Sequence, residues 1–248
     1  MCTFACTDLF KQTVMQNILI ILAALLPVAG LLYYIYKSDP YPEPPKQLRK
    51  AFFYGVAIII PAGIIEGIIQ AAFFPSSMTT LIEAAAQAFF VAALPEEGLK
   101  LLALWLLLRK NPYFDEHFDG IVYAVYVSLG FAAIENVSYL FGFVDSWVEV
   151  GITRALLAVP GHYAFGVLMG FFYSLYYFVN RSKRNLYAIF LAPFIAHGIY
   201  DTFAFFDNVS PVWGTIGFVL LIIFCIRMHR FCYNRIGSHL HRDKKIFG

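Results

Sequence analysis

The sequence predicts an all-α polytopic membrane protein, and its composition, its hydrophobic windows and its basic residues all support this fold class. Of the 248 residues, 60% are apolar and only 14% are charged, whereas soluble domains carry about 25% charged residues. So few charges cannot cover a water-facing surface. We therefore expect one helical bundle in the lipid bilayer, a single integral membrane domain over residues 1–248, because the predicted loops are too short for another domain.

Other classes of protein are excluded by the same composition. Four cysteines in 248 residues are too sparse for a disulfide scaffold, and the abundance of Phe, Leu, Ile and Tyr excludes disorder. The net charge of +2 leaves no basic surface beyond what membrane topology uses. We therefore expect no nucleic-acid partner.

Seven windows are candidates for membrane-spanning helices, since each offers the roughly 20 mostly apolar residues that a span requires. They lie at residues 17–36, 51–74, 81–108, 119–144, 154–179, 185–206 and 211–231.

Lys and Arg predict the orientation of these spans. They cluster at 37–50, 109–110 and 181–184 and again from residue 227 onwards, whereas the alternate loops hold none and Arg154 lies only at the edge of one. Because basic residues are retained on the cytoplasmic side, we expect the N-terminus outside and the C-terminus in the cytosol. An odd number of spans, such as seven, satisfies this orientation.

Polar residues inside the predicted spans are candidates for function, because an ionisable side chain at membrane depth costs about 2.5–3.5 kcal/mol on insertion scales. These residues are Glu66, Glu96, Glu97, Lys100, Glu135, Asn136, His162, His197 and Asp201.

Depth indicates that these residues meet. At 1.5 Å rise per residue, Glu96, Glu135, His162 and His197 all lie roughly 18–24 Å from the cytosolic ends of their helices. Four helices thus carry polar groups in one layer, in the outer half of the bilayer. Scattered structural polar residues would not agree in depth, so the layer favours a functional site.

Spacing along the helices adds detail. His197 and Asp201 are four residues apart and share one helix face, where they could hold an ion or a water molecule. The same spacing lets Lys100 partly neutralise Glu96. Two adjacent glutamates repel each other, which suits one of Glu96 and Glu97 to general acid/base catalysis. Pro95, just before this pair, is expected to loosen the helix. Gly98, just after it, is expected to allow close approach of another helix.

Structural roles explain other polar residues more simply. Asp119 begins the fourth span, where we expect it to cap the helix N-terminus. Asn136 is expected to form hydrogen bonds between helices. Glu66 either supports the polar layer or forms a hydrogen bond to another helix, and the sequence leaves both open.

Several motifs in one order resemble the PrsW family of intramembrane proteases, which is related to the CAAX-prenyl-protease and bacteriocin-processing superfamily. The resemblance covers roughly residues 80–202, the predicted catalytic helices, and one position departs from it, because Ala124 stands where the family often has glycine. The motifs are Glu96-Glu97-x-x-Lys100, FDGIVY at 118–123 with GFAAIEN at 130–136, Pro160-x-His162 and His197-x-x-x-Asp201.

This resemblance implies proteolysis of membrane-anchored protein substrates, with bacterial anti-sigma factors as the known type of target and a bacterial plasma membrane as the location. Carried over by position, Glu96, Glu97, His162 and His197 would be catalytic. The family is classified among metalloproteases, whereas the prenyl-protease relatives look like glutamate-type enzymes with Asn in place of Asp201. The chain contains no HExxH motif, so it has no standard zincin helix.

Two mechanisms fit these residues. In the metal version, His162, His197 and Asp201 would be three ligands of a zinc ion and Glu96 would take a proton from the bound water. Glu135 would be a fourth ligand or would accept a hydrogen bond from a ligand histidine. In the metal-free version, Glu96 and His162 activate water and His197 supports the oxyanion. Asp201 favours the metal version, because a carboxylate is an anionic ligand.

Two classes of protein without catalytic activity stay open at this point. An ion-coupled transporter also has carboxylates and histidines at mid-membrane depth, but the chain is short and shows no internal repeat. A relative that binds membrane partners without cutting them would not need the intact set of motif residues. Cleavage of single-span peptides separates the protease from both alternatives.

Overall fold

The structure is a computed structural model, and it describes residues 2–74 and 77–247. Throughout this part of the chain the regular structure is helical, without strands. The α-helices are α1 (Cys2–Ser38), α2 (Pro45–Phe73), α3 (Leu81–Gln87), α4 (Leu94–Leu108), α5 (His117–Gly142), α6 (Trp147–Thr153), α7 (Val159–Ser174), α8 (Lys183–Phe205) and α9 (Pro211–Phe247).

Wider π-helical turns connect some of these helices without a break. Residues Ala88–Ala93 join α3 to α4, and residues Arg154–Ala158 join α6 to α7. In both places a proline, Pro95 or Pro160, opens the next α-helix. Proline has no N–H and its ring crowds the preceding turn, so the chain widens there. The predicted loosening at Pro95 is therefore confirmed, and both prolines lie within two residues of a predicted site residue.

Membrane-spanning capacity is clear for six helical stretches, which match six of the seven predicted windows. The segment 81–108 is also one continuous helix, but three of its charged residues, Glu96, Glu97 and Lys100, set it apart from the others in composition. The chain is thus a multi-pass membrane protein, while the count of seven and the orientation stay predictions. The six stretches are 13–38, 45–73, 117–142, 144–179, 183–208 and 211–246.

The last helix extends well beyond the predicted window 211–231, because its polar end packs against the bundle. His239 is fully buried, stacks on Phe171 at 4.5 Å between ring centroids and donates a hydrogen bond to the carbonyl of Phe171. One turn later, Asp243 accepts hydrogen bonds from the backbone at the start of α5. Hydropathy alone does not reveal such tertiary contacts.

Helix α5 is the centre of the bundle. In its apolar window 78% of the residues are buried, compared with 11% for α2. The two helices pack backbone to backbone at Gly55 and Gly130, where an added Cβ would overlap the backbone of Val127 and Phe52. Lipid gives helices no hydrophobic drive to associate, so this close packing of small residues holds the bundle together.

The prediction that Gly98 allows close helix approach is wrong. A Cβ at Gly98 would meet no described atom within 4 Å. Close approach to the same helical segment occurs instead at Gly198 on α8, where a Cβ would overlap the ring of Phe89. The sequence pattern identified the helix but not the side that its neighbour touches.

Candidate active site

Lys100 lies at the centre of the polar layer. Its Nζ is 3.0 Å from Glu96 Oε2, 2.8 Å from Glu97 Oε1 and 3.2 Å from His162 Nδ1. The ring of Phe131 lies beneath the ammonium, 4.4 Å from Nζ to the centroid. The first turns of α4 bring the three charged residues together through i,i+3 and i,i+4 spacing, so the predicted pairing of Glu96 with Lys100 is confirmed.

His197 on α8 lies between the two glutamates of α4 and Asp201. Its Nδ1 is 2.9 Å from Glu97 Oε1 and 4.0 Å from Glu96 Oε2, and its Nε2 is 3.1 Å from Asp201 Oδ2. Phe165 stacks on the imidazole with 4.6 Å between ring centroids. The predicted pairing of His197 with Asp201 is confirmed, and a carboxylate on Nε2 orients the ring so that Nδ1 faces the glutamates.

His162 on α7 has the same arrangement. Its Nε2 is 2.7 Å from Glu135 Oε2, and its Nδ1 accepts a hydrogen bond from Lys100. The ring centroids of His162 and His197 are 5.6 Å apart. Both histidines therefore turn Nε2 to a carboxylate and Nδ1 to the charged groups of α4.

Arg154 is a site residue that the motif analysis missed. Its guanidinium forms an ion pair with Glu135 at 3.0 Å, and its Nε donates a hydrogen bond of 2.6 Å to Asn136 Oδ1. Asn136 also donates a hydrogen bond of 2.8 Å to the carbonyl of Ala24, which confirms its predicted role between helices. The sequence did single out Arg154 in one respect, because it is the basic residue at the edge of a predicted outer loop that otherwise has none.

A cavity of about 640 Å³ opens onto this network. Glu66 reaches it from α2 and forms no hydrogen bond or ion pair within the described residues, which favours support of the site over a bond to another helix. Glu97 is fully buried behind the cavity wall, whereas Glu96 lines it. The ionisable residues that line the cavity are Glu66, Glu96, Glu135, Arg154, His162, His197 and Asp201.

The donors at this site suit a metal ion. Glu96, Glu97 and His197 offer ligand atoms that all lie within 4.8 Å of one another. Glu97 Oε2 is buried and has no hydrogen-bond partner among the described residues, so a cation would satisfy it. The predicted set of His162, His197 and Asp201 is not among the groups of described residues whose ligand atoms lie this close together. Asp201 contacts His197 through Nε2, the nitrogen opposite the one that faces Glu97.

Fold and site together define a class of protein. Membrane-spanning helices surround a cavity lined by carboxylates, histidines and an arginine, and several of these groups lie at hydrogen-bonding distance from one another. Such a set can exchange protons with a bound water and bind a cation. The fold and the site are therefore those of an integral membrane protein with a polar cavity suited to proton transfer and cation binding.

Comparison with known proteins identifies the family. The family model for PrsW family intramembrane metalloproteases matches residues 43–228. The chain belongs to this family and is a peptidase of the membrane. The match is wider than the range 80–202 that the motifs indicated, because it includes α2 and part of α9.

Relatives from three bacteria are similar to the chain over most of its length. Protease PrsW of Geobacillus kaustophilus is 39% identical over 184 residues, 73% of this chain and 78% of the relative. Protease PrsW of Clostridioides difficile is 32% identical over 231 residues, 91% and 93% of the two chains. Protease PrsW of Bacillus subtilis is 36% identical over 191 residues, 73% and 81% of the two chains. No solved structure matches the chain.

Proposed function

We propose that this chain hydrolyses a peptide bond in single-span, membrane-anchored proteins, such as anti-sigma factors, in a bacterial plasma membrane. The proposed general base is Glu96. The single observation that carries this role is its position, since Glu96 lines the cavity while Glu97 is enclosed behind it. The ammonium of Lys100, 3.0 Å away, stabilises the carboxylate form that accepts a proton.

The reaction requires proton transfer, correctly oriented imidazoles and the exclusion of bulk water. Glu96 takes a proton from the attacking water and delivers it to the departing amine nitrogen. Asp201 and Glu135 hold the imidazoles of His197 and His162 through Nε2. The helices around the cavity exclude bulk water, which strengthens the electrostatic interactions inside.

We also propose a zinc ion held by Glu97, His197 and His162. Glu97 Oε1 is 2.9 Å from His197 Nδ1 and 2.8 Å from Lys100 Nζ, and His162 Nδ1 is 3.2 Å from the same Nζ, so a cation here would have carboxylate and imidazole donors nearby. The set predicted from the sequence has Asp201 in place of Glu97. In this proposal Asp201 instead orients the His197 ring through Nε2. When bound, zinc polarises a carbonyl and lowers the pKa of coordinated water to about 7.

A metal-free mechanism on the same residues is the second candidate. Glu96 and His162 would share the activation of water, and His197 would stabilise the oxyanion. The favouring observation is that hydrogen bonds and ion pairs already connect these groups through Lys100 and Glu97. Metal analysis, described below, separates the two mechanisms.

The experiment is cleavage of a set of single-span peptides by the full chain reconstituted in lipid vesicles. We expect new termini with the parent chain and about 10²–10⁴-fold slower formation of them with Glu96→Gln. Glu149→Gln, which changes an exposed glutamate, is the matched control and should cut normally. A parent chain that yields no new termini from any peptide would contradict the protease assignment in favour of a transporter or binding protein.

The position of the cut tests the predicted depth of the site. A polar layer in the outer half of the bilayer should place the scissile bond near the outer end of the substrate helix, where fewer backbone hydrogen bonds must break in lipid. Mass spectrometry of the products measures this position. Cuts clustered at the cytosolic boundary would overturn the depth argument and the orientation together.

A further inference from the structure

A second group of carboxylates lies at the other end of α5. Glu43 comes from the connector between α1 and α2, Asp115 from the loop before α5, and Asp119 from the first turn of α5. Their ligand oxygens all lie within 4.8 Å of one another. Asp119 is 16 residues from Glu135 along α5, about 24 Å at 1.5 Å per residue. This acidic cluster is therefore separate from the candidate active site.

Capping of α5 explains only one of the two carboxylate oxygens of Asp119. Its Oδ2 accepts hydrogen bonds from the backbone N–H groups of Asp115 and Glu116, at 3.0 and 2.7 Å, as expected for a capping residue. Asp243 accepts from the next two N–H groups, both at 2.9 Å. Asp119 Oδ1 has no hydrogen-bond partner in the described part of the chain, although the side chain is fully buried. The predicted capping role is confirmed for one oxygen only.

The cluster also lacks a compensating positive charge. Among the described residues, Glu43, Asp115 and Asp119 form no ion pair with Lys or Arg. Tyr123, one turn further along α5, donates a hydrogen bond to Glu43, but a phenol supplies no net charge. Burying carboxylates without a partner is costly, and a buried oxygen without a donor is the kind of group that a cation satisfies.

The structure points to a binding site for a divalent cation formed by Glu43, Asp115 and Asp119, with Mg²⁺ or Ca²⁺ as the ligand class. Both ions prefer carboxylate oxygens and complete their coordination with water, which the exposed side of Asp115 admits. A bound ion would tie the connector between α1 and α2 to the start of α5. This inference does not depend on the proposed proteolytic activity.

Terbium luminescence tests the site in the purified full chain, since Tyr123 lies close enough to sensitise a bound lanthanide. We expect saturable Tb³⁺ emission that Mg²⁺ or Ca²⁺ competes away, and an apparent dissociation constant at least tenfold higher in Glu43→Gln and Asp119→Asn. The same divalent ions should raise the melting temperature of the parent and not of the variants. Asp119→Asn keeps an oxygen for the helix cap, and Glu43→Gln touches no cap.

Two control variants make the outcome decisive. Asp145→Asn removes an exposed acidic residue outside the cluster and should leave binding unchanged. Glu97→Gln reports on ions bound at the candidate active site. Emission that disappears in Glu97→Gln but persists in both cluster variants would overturn the inference, and so would a parent chain with neither competed emission nor a divalent-dependent melting temperature.

Discussion

The candidate active site and the acidic cluster both bury carboxylates in one bundle, but they balance the charge in different ways. At the active site three of the carboxylates face a charged nitrogen of the chain itself, since Glu96 and Glu97 face Lys100 and Glu135 faces Arg154. In the acidic cluster, the hydrogen-bond donor that Glu43 meets among the described residues is the phenol of Tyr123. At the candidate active site, Lys and Arg side chains of the chain itself neutralise the carboxylates. In the acidic cluster, this neutralisation would have to come from protons or metal ions in the medium.

The largest expected effect is on catalysis and concerns the pair of glutamates. Glu96→Gln keeps the volume but removes the proton acceptor, so turnover should fall by about 10²–10⁴-fold, the range for lost general acid/base catalysis. The measurement is the cleavage rate of one peptide by equal amounts of folded protein. Activity near the parent level in Glu96→Gln would mean that another group is the base.

Metal content distinguishes the roles of the two glutamates. We expect close to one zinc per purified chain, retained in Glu96→Gln and lost in both Glu97→Gln and His197→Ala, because only the latter remove proposed ligands. A chelator should abolish cleavage and added zinc should restore it. Full activity in demonstrably metal-free protein would rule out the zinc proposal and leave the glutamate–histidine mechanism.

Lys100→Met tests whether the ammonium of Lys100 compensates the charges of the buried glutamates. Removing one partner of a buried ion pair typically costs about 3–5 kcal/mol, because the other charge remains buried and uncompensated. We expect a clear drop in melting temperature in detergent, whereas Lys110→Met, at an exposed lysine just beyond α4, should change little. Equal melting temperatures for the two variants would show that Lys100 does not compensate the glutamates.

The smallest expected effect is the pH dependence of the acidic cluster. Burial raises the pKa of Glu43 from 4.5 to about 7, so the folded chain binds this proton more tightly than the unfolded chain. The resulting stability is fully present below about pH 4.5 and is lost as the pH rises through 7. Without divalent ions, the melting temperature should fall less over this range in Glu43→Gln than in the parent. Asp145→Asn should keep the parental slope, and an unchanged slope in Glu43→Gln would contradict the assignment.

Much of the fold and the members of the site could be predicted from sequence, because hydrophobic length, basic loops and i,i+4 spacing are local properties. The contacts made by each ring nitrogen could not. A π-helical turn holds more residues than an α-helical turn, so the turns before Pro95 and Pro160 shift the faces of the helices that follow. Which ring nitrogen of His197 meets Glu97 and which meets Asp201 depends on how α4 packs against α8, and no periodicity in the sequence records that packing.

Other differences arise from distant parts of the chain. Arg154 joins the site because Glu135 and Asn136 reach it from α5, and the helical end at 232–247 exists because the start of α5 offers backbone N–H groups to Asp243. Both depend on residues far apart in sequence. Local pattern analysis therefore identified the residues of the polar layer but not the neighbours that hold them.

The enclosure of α5 has a consequence for how the protein is made. Its mean hydropathy of 1.5 is lower than the 2.5 of residues 13–38, and its surroundings are protein rather than lipid. A segment of this kind gains less from entering lipid alone than α1 or α2 does. Synthesis from the N-terminus delivers both of those helices first, so the glycine seam at Gly55 and Gly130 is available when α5 emerges. The newly made chain thereby provides its own acceptor surface for this less lipophilic helix.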